Sequence, residues 1–278
     1  TGSITGCVAG STNVAHRQAV IDRVNFYRAL AGVPGTVSLY GGAQATQTQA
    51  AALIFSASQT LSHTPPSGLA CYSLDGYNGA GKSNIALGYG SNAAAGTSAV
   101  DLYMDDHGAG NYVVGHRRWI LYPPQLRMDS GSIPWSPQRA SNALYVLGSG
   151  GSRPPTPNGV AWPNRGYVPW QLLPVKSNRW SFSWPNASFA NASVSMKRNG
   201  QALAAPTREA VANGYGDNTL VWLPQGVSYT RPTQDVVYQV TINGISGGGA
   251  PASVSYTVTV IDPDTALPNS IFRHGFEG

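Results

Sequence analysis

The chain has 278 residues, of which 42% are hydrophobic and 10% are charged, a composition typical of folded domains rather than disordered segments. Its length suits one large domain or two ordinary ones. The formal net charge of +5 is spread along the chain without a basic run, which argues against nucleic-acid binding and leaves only weak attraction to anionic cell-envelope material. No apolar run approaches the roughly 18 residues that a membrane span needs.

The chain contains two cysteines, Cys7 and Cys71, and neither lies in a CxxC pair or close in sequence to a general base. A single disulfide between them fits an oxidising compartment, and two unrelated buried thiols are the alternative. The sequence also begins without a methionine. We therefore expect a secreted product, extracellular or periplasmic, from which a signal peptide has been removed.

Two amphipathic helices are predicted near the start of the chain. Between residues 14 and 31, apolar side chains such as Val20 and Val24 recur at helical spacing, and a glycine and a proline follow. A second helix, rich in alanine and glutamine, is predicted from Ala43 to about Ser58. These segments indicate a helical layer in the first half of the protein.

The next segment combines a predicted loop with two further helices. Residues 68–96 are crowded with glycine, serine and asparagine, which predicts a loop. A third helix is expected to start at residue 97 or 98, where Ser98 and Asp101 form a capping pair. A short fourth helix is predicted over about residues 116–121, and we expect its two arginines to anchor it by pairing with carboxylates or carbonyls.

Strand patterns dominate the rest of the chain. Short strands are predicted between residues 126 and 148, followed by a linker rich in glycine and proline over residues 151–165. From 166 to 262, short alternating strands and turn signals such as Asn199-Gly200 predict an immunoglobulin-like β-sandwich. We expect the tail, residues 263–278, to be a sorting or docking segment.

Two histidines of the first half lie in short motifs. His63 lies in Leu61-Ser62-His63-Thr64, His116 lies in Gly115-His116-Arg117-Arg118, and Asn84-Ile85-Ala86 lies between them. Together the three segments resemble the signature of the CAP superfamily of secreted proteins. The resemblance implies an α-β-α sandwich over residues 1–150, and so an α+β protein that joins a CAP-type domain to an all-β domain. It also implies a cavity lined by two histidines and two acidic residues.

The resemblance assigns four site residues. His63 and His116 match the two histidines of the family. Ser83 stands where the family has its first acidic residue. The second acidic residue corresponds to Asp106, with Asp105 as the alternative. On this basis we expect His63, Ser83, Asp106 and His116 to share one cavity.

These residue types suggest metal or acid–base chemistry. Two imidazoles that converge on one cavity can share a divalent ion, of which zinc fits best, with open positions for water or a ligand. Ser83 in place of a carboxylate weakens the binding of a hard cation and removes one candidate general base. Asp106 or a neutral histidine would then activate water. A Ser83–His–Asp106 triad is an alternative, and a purely structural role for each histidine is another.

Three functions are consistent with these patterns. The first is a non-catalytic binding protein whose cavity takes a divalent ion or a small ligand. The second is a metal-assisted hydrolase that acts on peptide or cell-wall material. The third is a carbohydrate adhesin that uses tryptophans of the second half, such as Trp180 and Trp184, although packing inside a sheet core is the competing interpretation. The sequence does not fix the oligomeric state.

Overall fold

A computed structural model describes residues 2–148 and 150–264, and over these ranges the chain is an α+β protein. The predicted tail, from residue 265 onward, lies outside the described residues. The α-helices of the described residues all lie in the first half. They are α1 (Val14–Leu30), α2 (Gly42–Ser58), α3 (Leu74–Gly81), α4 (Gly96–Asp105) and α5 (Gly115–Ile120).

The first half is built around a four-stranded sheet. Its strands are β1 (Ser38–Leu39), β2 (Ser83–Leu87), β3 (Arg127–Ile133) and β4 (Ser141–Tyr145). They are ordered β1-β3-β4-β2, with β1 parallel to β3 and the other pairs antiparallel. The prediction of strands between residues 126 and 148 is confirmed by β3 and β4.

Helices cover both faces of this sheet. Neighbouring residues of a strand point to opposite faces of the sheet. The contacts of two adjacent residues in β4 therefore identify the helices that cover each face. Leu144 packs in a cluster with α1, α4 and α5, whereas Ala143 packs with α2 and α3. The first half therefore has three layers, with the sheet in the middle.

The predicted bounds of α1, α2 and α5 are confirmed to within one or two residues. The stripe of α1 predicted by its spacing is buried, with Val20 and Val24 both at 0% exposure. The Asn13 side chain accepts a hydrogen bond from the Ala15 N–H at 2.7 Å and so starts this helix.

The loop predicted over residues 68–96 is wrong in its centre, where the structure has α3 and β2. The Ser73 hydroxyl accepts a hydrogen bond from the Gly76 N–H and starts α3. A side chain at Gly79 would clash with the backbone carbonyl of Gln47 in α2. The glycines that suggested a loop instead allow two helices to pack backbone against backbone.

The predicted capping pair of the third helix is also wrong. Helix α4 begins at Gly96, whose φ of +57° suits glycine, and the Gly96 N–H donates to the Ser132 hydroxyl of β3 at 3.1 Å. Ser98 lies inside the helix. Asp101 pairs instead with α1, because its carboxylate accepts hydrogen bonds from Arg23 Nε at 2.8 Å and from the Tyr27 hydroxyl at 2.7 Å.

The second half consists of two β-sheets that face each other across a shared core. Its strands are β5 (Val160–Trp162), β6 (Gly166–Pro169), β7 (Trp180–Trp184), β8 (Ser193–Arg198), β9 (Gln201–Ala202), β10 (Thr207–Arg208), β11 (Asn218–Leu223), β12 (Val236–Asn243) and β13 (Ser253–Ile261). The first sheet has the order β10-β11-β7-β5 and the second β6-β13-β12-β8-β9. The short strands predicted from residue 166 to 262 are confirmed, whereas β5 lies in the segment predicted as a linker.

The predicted linker over residues 151–165 contains strand β5, which contacts both halves. Val160 and Trp162 belong to the core of the first half, whereas Ala161 belongs to the core of the second. The Trp162 ring meets the edge of the Tyr27 ring of α1 at 5.2 Å between centroids. The segment therefore joins the two cores instead of only spacing them apart.

The tryptophans of the second half mainly pack in cores. Trp180 and Trp222 are at 0% exposure and Trp162 is at 1%. Trp170 and Trp184 are half-buried, and the Trp184 indole N–H donates to the Gly248 carbonyl at 3.0 Å. The packing interpretation holds for the three buried rings, which cannot serve an adhesin.

The disulfide prediction is confirmed, since Cys7 and Cys71 are bonded across a sequence separation of 64 residues. The bond ties the N-terminal arm to the segment before α3. Within residues 2–148 and 150–264, none of the helices combines the length and the apolar character required to cross a membrane.

Candidate functional site

A cavity of about 350 Å³ is lined mainly by the first half, including both motif histidines, His63 and His116. Ser83 of β2 lines the same cavity. Asp106 does not line it, although the sequence placed this residue across the cavity from His116. The structure therefore brings three of the four predicted residues to one cavity and places the fourth behind it.

Asp106 lies behind the His116 ring and fixes its orientation. Its Oδ1 is 2.7 Å from His116 Nδ1, and its Oδ2 accepts the N–H groups of His116 at 2.9 Å and Arg117 at 3.3 Å. The Asp106 side chain is fully buried. Because the carboxylate accepts, Nδ1 of the neutral ring carries the hydrogen, and Nε2 keeps a free lone pair.

Tyr103 of α4 packs against one face of the His116 imidazole. The two rings are stacked, with centroids 5.3 Å apart. The Tyr103 hydroxyl donates to the Asn84 carbonyl at 3.0 Å and interacts with Asn142 Oδ1 at 2.9 Å. Burial raises the pKa of Tyr103 well above its ordinary value of 10.0, so the hydroxyl stays protonated. The His116 ring is thus held by Asp106 at its Nδ1 edge and by Tyr103 against one face.

His63 has the same arrangement of ring nitrogens as His116. It follows the end of α2, and its Nδ1 is 2.9 Å from the carbonyl oxygen of Ala80 in α3. A carbonyl can only accept, so Nδ1 donates and Nε2 is left with a lone pair. The two imidazoles of the cavity therefore both offer Nε2, and α3, which the sequence analysis missed, orients the first.

Ser83 contributes a hydroxyl without a partner. The residue is 4% exposed, and its Oγ has no hydrogen-bond partner among the described residues. A buried polar atom normally has a partner, so this hydroxyl is available to water or a ligand. The neighbouring Asn84 is engaged, because its Nδ2 donates to the His116 carbonyl at 2.9 Å.

Arg117 fastens the short helix α5 to the second half of the chain. Its guanidinium donates to the Arg179 carbonyl at 2.8 Å and to Ser181 Oγ at 3.1 Å. It also donates to the carbonyls of Met104 and Asp105. Burial lowers the pKa of Arg117 to about 10. The predicted anchoring role of this arginine is confirmed, and its partners are mainly carbonyls.

Arg118 extends the same attachment to a loop of the second half. Its Nη1 donates to the Ala212 carbonyl at 2.8 Å and its Nη2 to the Asp217 carbonyl at 2.9 Å. Burial lowers the pKa of Arg118 to about 10, while Tyr215 and Asp217 act in the opposite direction. The helix that carries His116 is therefore supported from behind by the second half.

Asp105, the alternative acidic residue, points away from the cavity. Its carboxylate accepts the backbone N–H groups of Lys176 at 3.0 Å and Ser177 at 2.7 Å. Arg179 strengthens the same contact by donating to the Asp106 carbonyl at 3.2 Å. Both acidic residues at the end of α4 thus hold other parts of the structure in place, Asp106 behind His116 and Asp105 against the second half.

The donor set fits a borderline metal ion better than a hard one. Over the part of the chain that the structure describes, no group of three or more His, Cys, Asp or Glu side chains is arranged to hold a metal. The cavity offers two imidazole nitrogens and the Ser83 hydroxyl. Zinc accepts imidazole nitrogen readily, whereas magnesium and calcium need several oxygen ligands.

Tyr215, from the loop before β11, completes the wall of the cavity, and the sequence analysis did not identify it. It lies about a hundred residues beyond His116 in sequence. The only local signal is the pair of glycines on either side, Gly214 and Gly216, both with positive φ.

The chain matches no protein-family model, no curated protein and no solved structure. The likeness of the histidine motifs to the CAP superfamily therefore stays an expectation from the sequence.

Proposed function

We propose that this chain is a secreted CAP-type protein, with an α-β-α sandwich followed by an immunoglobulin-like sandwich, that binds a divalent metal ion in the histidine cavity. The observation that carries the proposal is that the two imidazoles have the same hydrogen-bonding arrangement. His63 and His116 both donate from Nδ1 and both keep the Nε2 lone pair, and they line one cavity. A hydrogen-bond acceptor behind Nδ1 is the usual arrangement for a histidine that ligates through Nε2.

The ligand set leaves room at the metal. His63 and His116 would supply two nitrogens, Ser83 lies beside them, and the remaining positions would be open to water or a small ligand. When bound, zinc would supply Lewis acidity at those open positions. Asp106 fixes the orientation and tautomer of His116 by accepting its Nδ1 hydrogen. The disulfide is compatible with secretion into an oxidising compartment.

Calorimetric titration with zinc chloride tests this proposal. We expect the wild-type chain to bind one zinc ion, and the variants His63→Ala and His116→Ala to bind it at least tenfold more weakly, because each loses one of two nitrogen ligands. His16→Ala is the matched control, since His16 does not line this cavity. Absence of binding in the wild type, or equal binding in all four proteins, would overturn the proposal.

A metal-assisted hydrolase that acts on peptide or cell-wall material is the second candidate. The specific observation is that Asp106 holds His116 in the tautomer that can accept a proton at Nε2. The base would then be His116, with Asp106 as its positioning residue, and in this mode Nε2 of His116 would not ligate the metal, which His63 would hold. Incubation with a peptide pool and with a muropeptide pool tests this function. Cleavage that persists in the presence of a chelator and in His116→Ala would exclude this site.

A further inference from the structure

The loop that carries Tyr215 is fastened at both ends next to the cavity. Arg118 donates to the carbonyls of Ala212 and Asp217, which flank the loop tip. The Asp217 carboxylate also pairs with Arg153, whose Nη1 is 2.7 Å from Asp217 Oδ1. The loop tip is therefore held against α5, the helix that bears His116.

Tyr215 itself lies at the cavity wall with much of its ring accessible. It is 40% exposed and lines the cavity. A side chain added at Gly115 would come within 3.0 Å of Tyr215 Cδ1, so the ring rests on the backbone of that glycine, directly before His116. The Arg118 guanidinium is 5.3 Å from the ring centroid and supports it. These contacts fix the position of the Tyr215 ring before a ligand binds.

The lining of the cavity favours a neutral organic ligand over a charged one. None of the described residues that line it is Asp, Glu, Lys or Arg. Its hydrogen-bonding groups include the Nε2 acceptors of His63 and His116, the unpartnered Ser83 hydroxyl and the polar side chains of Asn111 and Tyr215. A charged organic ligand would lose its hydration without meeting an opposite charge, which is costly, whereas a zinc ion would gain coordinate bonds to the imidazole nitrogens. A volume of about 350 Å³ is at the small end for ligand pockets, which suits one or two rings.

An exposed aromatic ring beside neutral donors and acceptors is the combination that a saccharide requires. One face of a sugar ring presents C–H groups that pack on an aromatic face, and its hydroxyl groups need hydrogen-bond partners. We propose that Tyr215 is a specificity-determining residue contributed by the second half, and that the cavity takes a neutral saccharide stacked on this ring. The proposal rests on the proposed function in using the same cavity as a binding site, but it does not require a metal.

Saccharide binding is tested with the full chain by calorimetry and by ligand-observed NMR. The probes are N,N′-diacetylchitobiose, cellobiose and maltose, together with a uronic acid disaccharide as a charged comparison. We expect at least one neutral probe to bind and the charged one to bind at least tenfold more weakly. Tyr215→Ala should weaken the neutral probe by about five- to tenfold, whereas Tyr215→Phe should retain binding because the aromatic face remains.

Two controls separate this proposal from the metal site. Tyr167→Ala removes another exposed tyrosine of the second half and should leave saccharide binding unchanged. Zinc titration of Tyr215→Ala should match that of the wild type. If zinc binds but no neutral saccharide does, or if Tyr215→Ala binds the probe as the wild type does, the saccharide proposal fails and the metal proposal is unaffected. If a saccharide binds in a Tyr215-dependent manner but the wild-type chain does not bind zinc, the metal proposal fails and this one stands.

Discussion

At the scale of single residues, Asp106 decides which nitrogen His116 offers to the cavity. Its two oxygens serve separate purposes, because Oδ1 accepts from the ring and Oδ2 accepts from the first backbone N–H groups of α5. The second contact replaces the side-chain cap that α5 lacks at Val114. One buried carboxylate therefore sets both the start of the helix and the tautomer of its histidine.

Replacing Asp106 by asparagine should weaken zinc binding without unfolding the chain. Asparagine tolerates the left-handed φ of +56° at this position and keeps a carbonyl oxygen for the backbone N–H groups. The amide nitrogen then faces Nδ1 of His116 and cannot accept its hydrogen, so the tautomer is no longer fixed, and we expect about 10- to 100-fold lower zinc affinity by calorimetry. Asp22→Asn, an exposed substitution on α1, is the matched control. Equal affinity in the two variants would contradict the role given to Asp106.

The buried tyrosines Tyr103 and Tyr256 should make the protein sensitive to alkali. Burial raises the pKa of both hydroxyls above 10.0, the ordinary value that applies in the unfolded chain. Their stabilisation is therefore complete below pH 10 and is lost as the pH rises further, because only the unfolded chain then releases the protons. We expect the free energy of unfolding in urea to fall by about 1.4 kcal/mol per pH unit for each tyrosine above pH 10.

Tyr256→Phe isolates one of these two contributions. The Tyr256 hydroxyl has no hydrogen-bond partner among the described residues, so its removal should cost little at pH 7. Above pH 10 the variant should lose stability less steeply than the wild type. Tyr167→Phe, which alters an exposed ring, should follow the wild-type curve. A Tyr256→Phe curve parallel to the wild type at every pH would show that this hydroxyl does not resist ionisation.

At the scale of elements, the six-residue helix α5 depends on partners outside itself. A helix this short is not stable alone, so its position comes from tertiary contacts. Arg117 provides them, because its guanidinium reaches carbonyls of α4 and the carbonyl that precedes β7. A sequence motif can mark such a helix, but the partners of its arginines are distant in sequence and are visible only in the fold.

Arg117→Lys should destabilise the protein and disturb the histidine site together. Lysine keeps the charge but cannot reproduce the fork of donors, and buried carbonyls are left without partners. We expect the free energy of unfolding to fall by about 3 kcal/mol in urea denaturation. Arg127→Lys, at an exposed position, should change it by less than about 0.5 kcal/mol. Similar losses in the two variants would rule out an anchoring role for Arg117.

The elements also show what local sequence signals can predict. The spacing of Val20 and Val24 was sufficient for α1, since one apolar stripe fixes both the helix and its buried face. The same reasoning failed at α3, where Gly79 is required by the close approach of α2. Glycine is frequent both in loops and at tight contacts between helices. The sequence of the segment alone does not distinguish these two cases, because the difference depends on which element packs against it. Tyr215 could not be predicted because it reaches His116 through the packing of the two halves.

At the scale of the whole molecule, the two halves share structure rather than standing side by side. Strand β5 contributes Trp162 to the core of the first half and Ala161 to the core of the second. Arg117 and Arg118 add hydrogen bonds across the same boundary. We therefore expect one cooperative unfolding transition, because neither core is complete without residues that the other half holds in place.

Trp162→Ala tests this coupling. Removal of a fully buried indole leaves a cavity, and we expect the free energy of unfolding to fall by about 3–5 kcal/mol. Because β5 pairs with β7 while Trp162 packs on α1, amide hydrogen exchange should accelerate in both elements and not only in one. Trp135→Ala, at a half-exposed ring, should leave exchange in both elements unchanged. Faster exchange in α1 with β7 unaffected would mean that the halves unfold independently, and the support that the second half gives to His116 would then be static packing without energetic coupling.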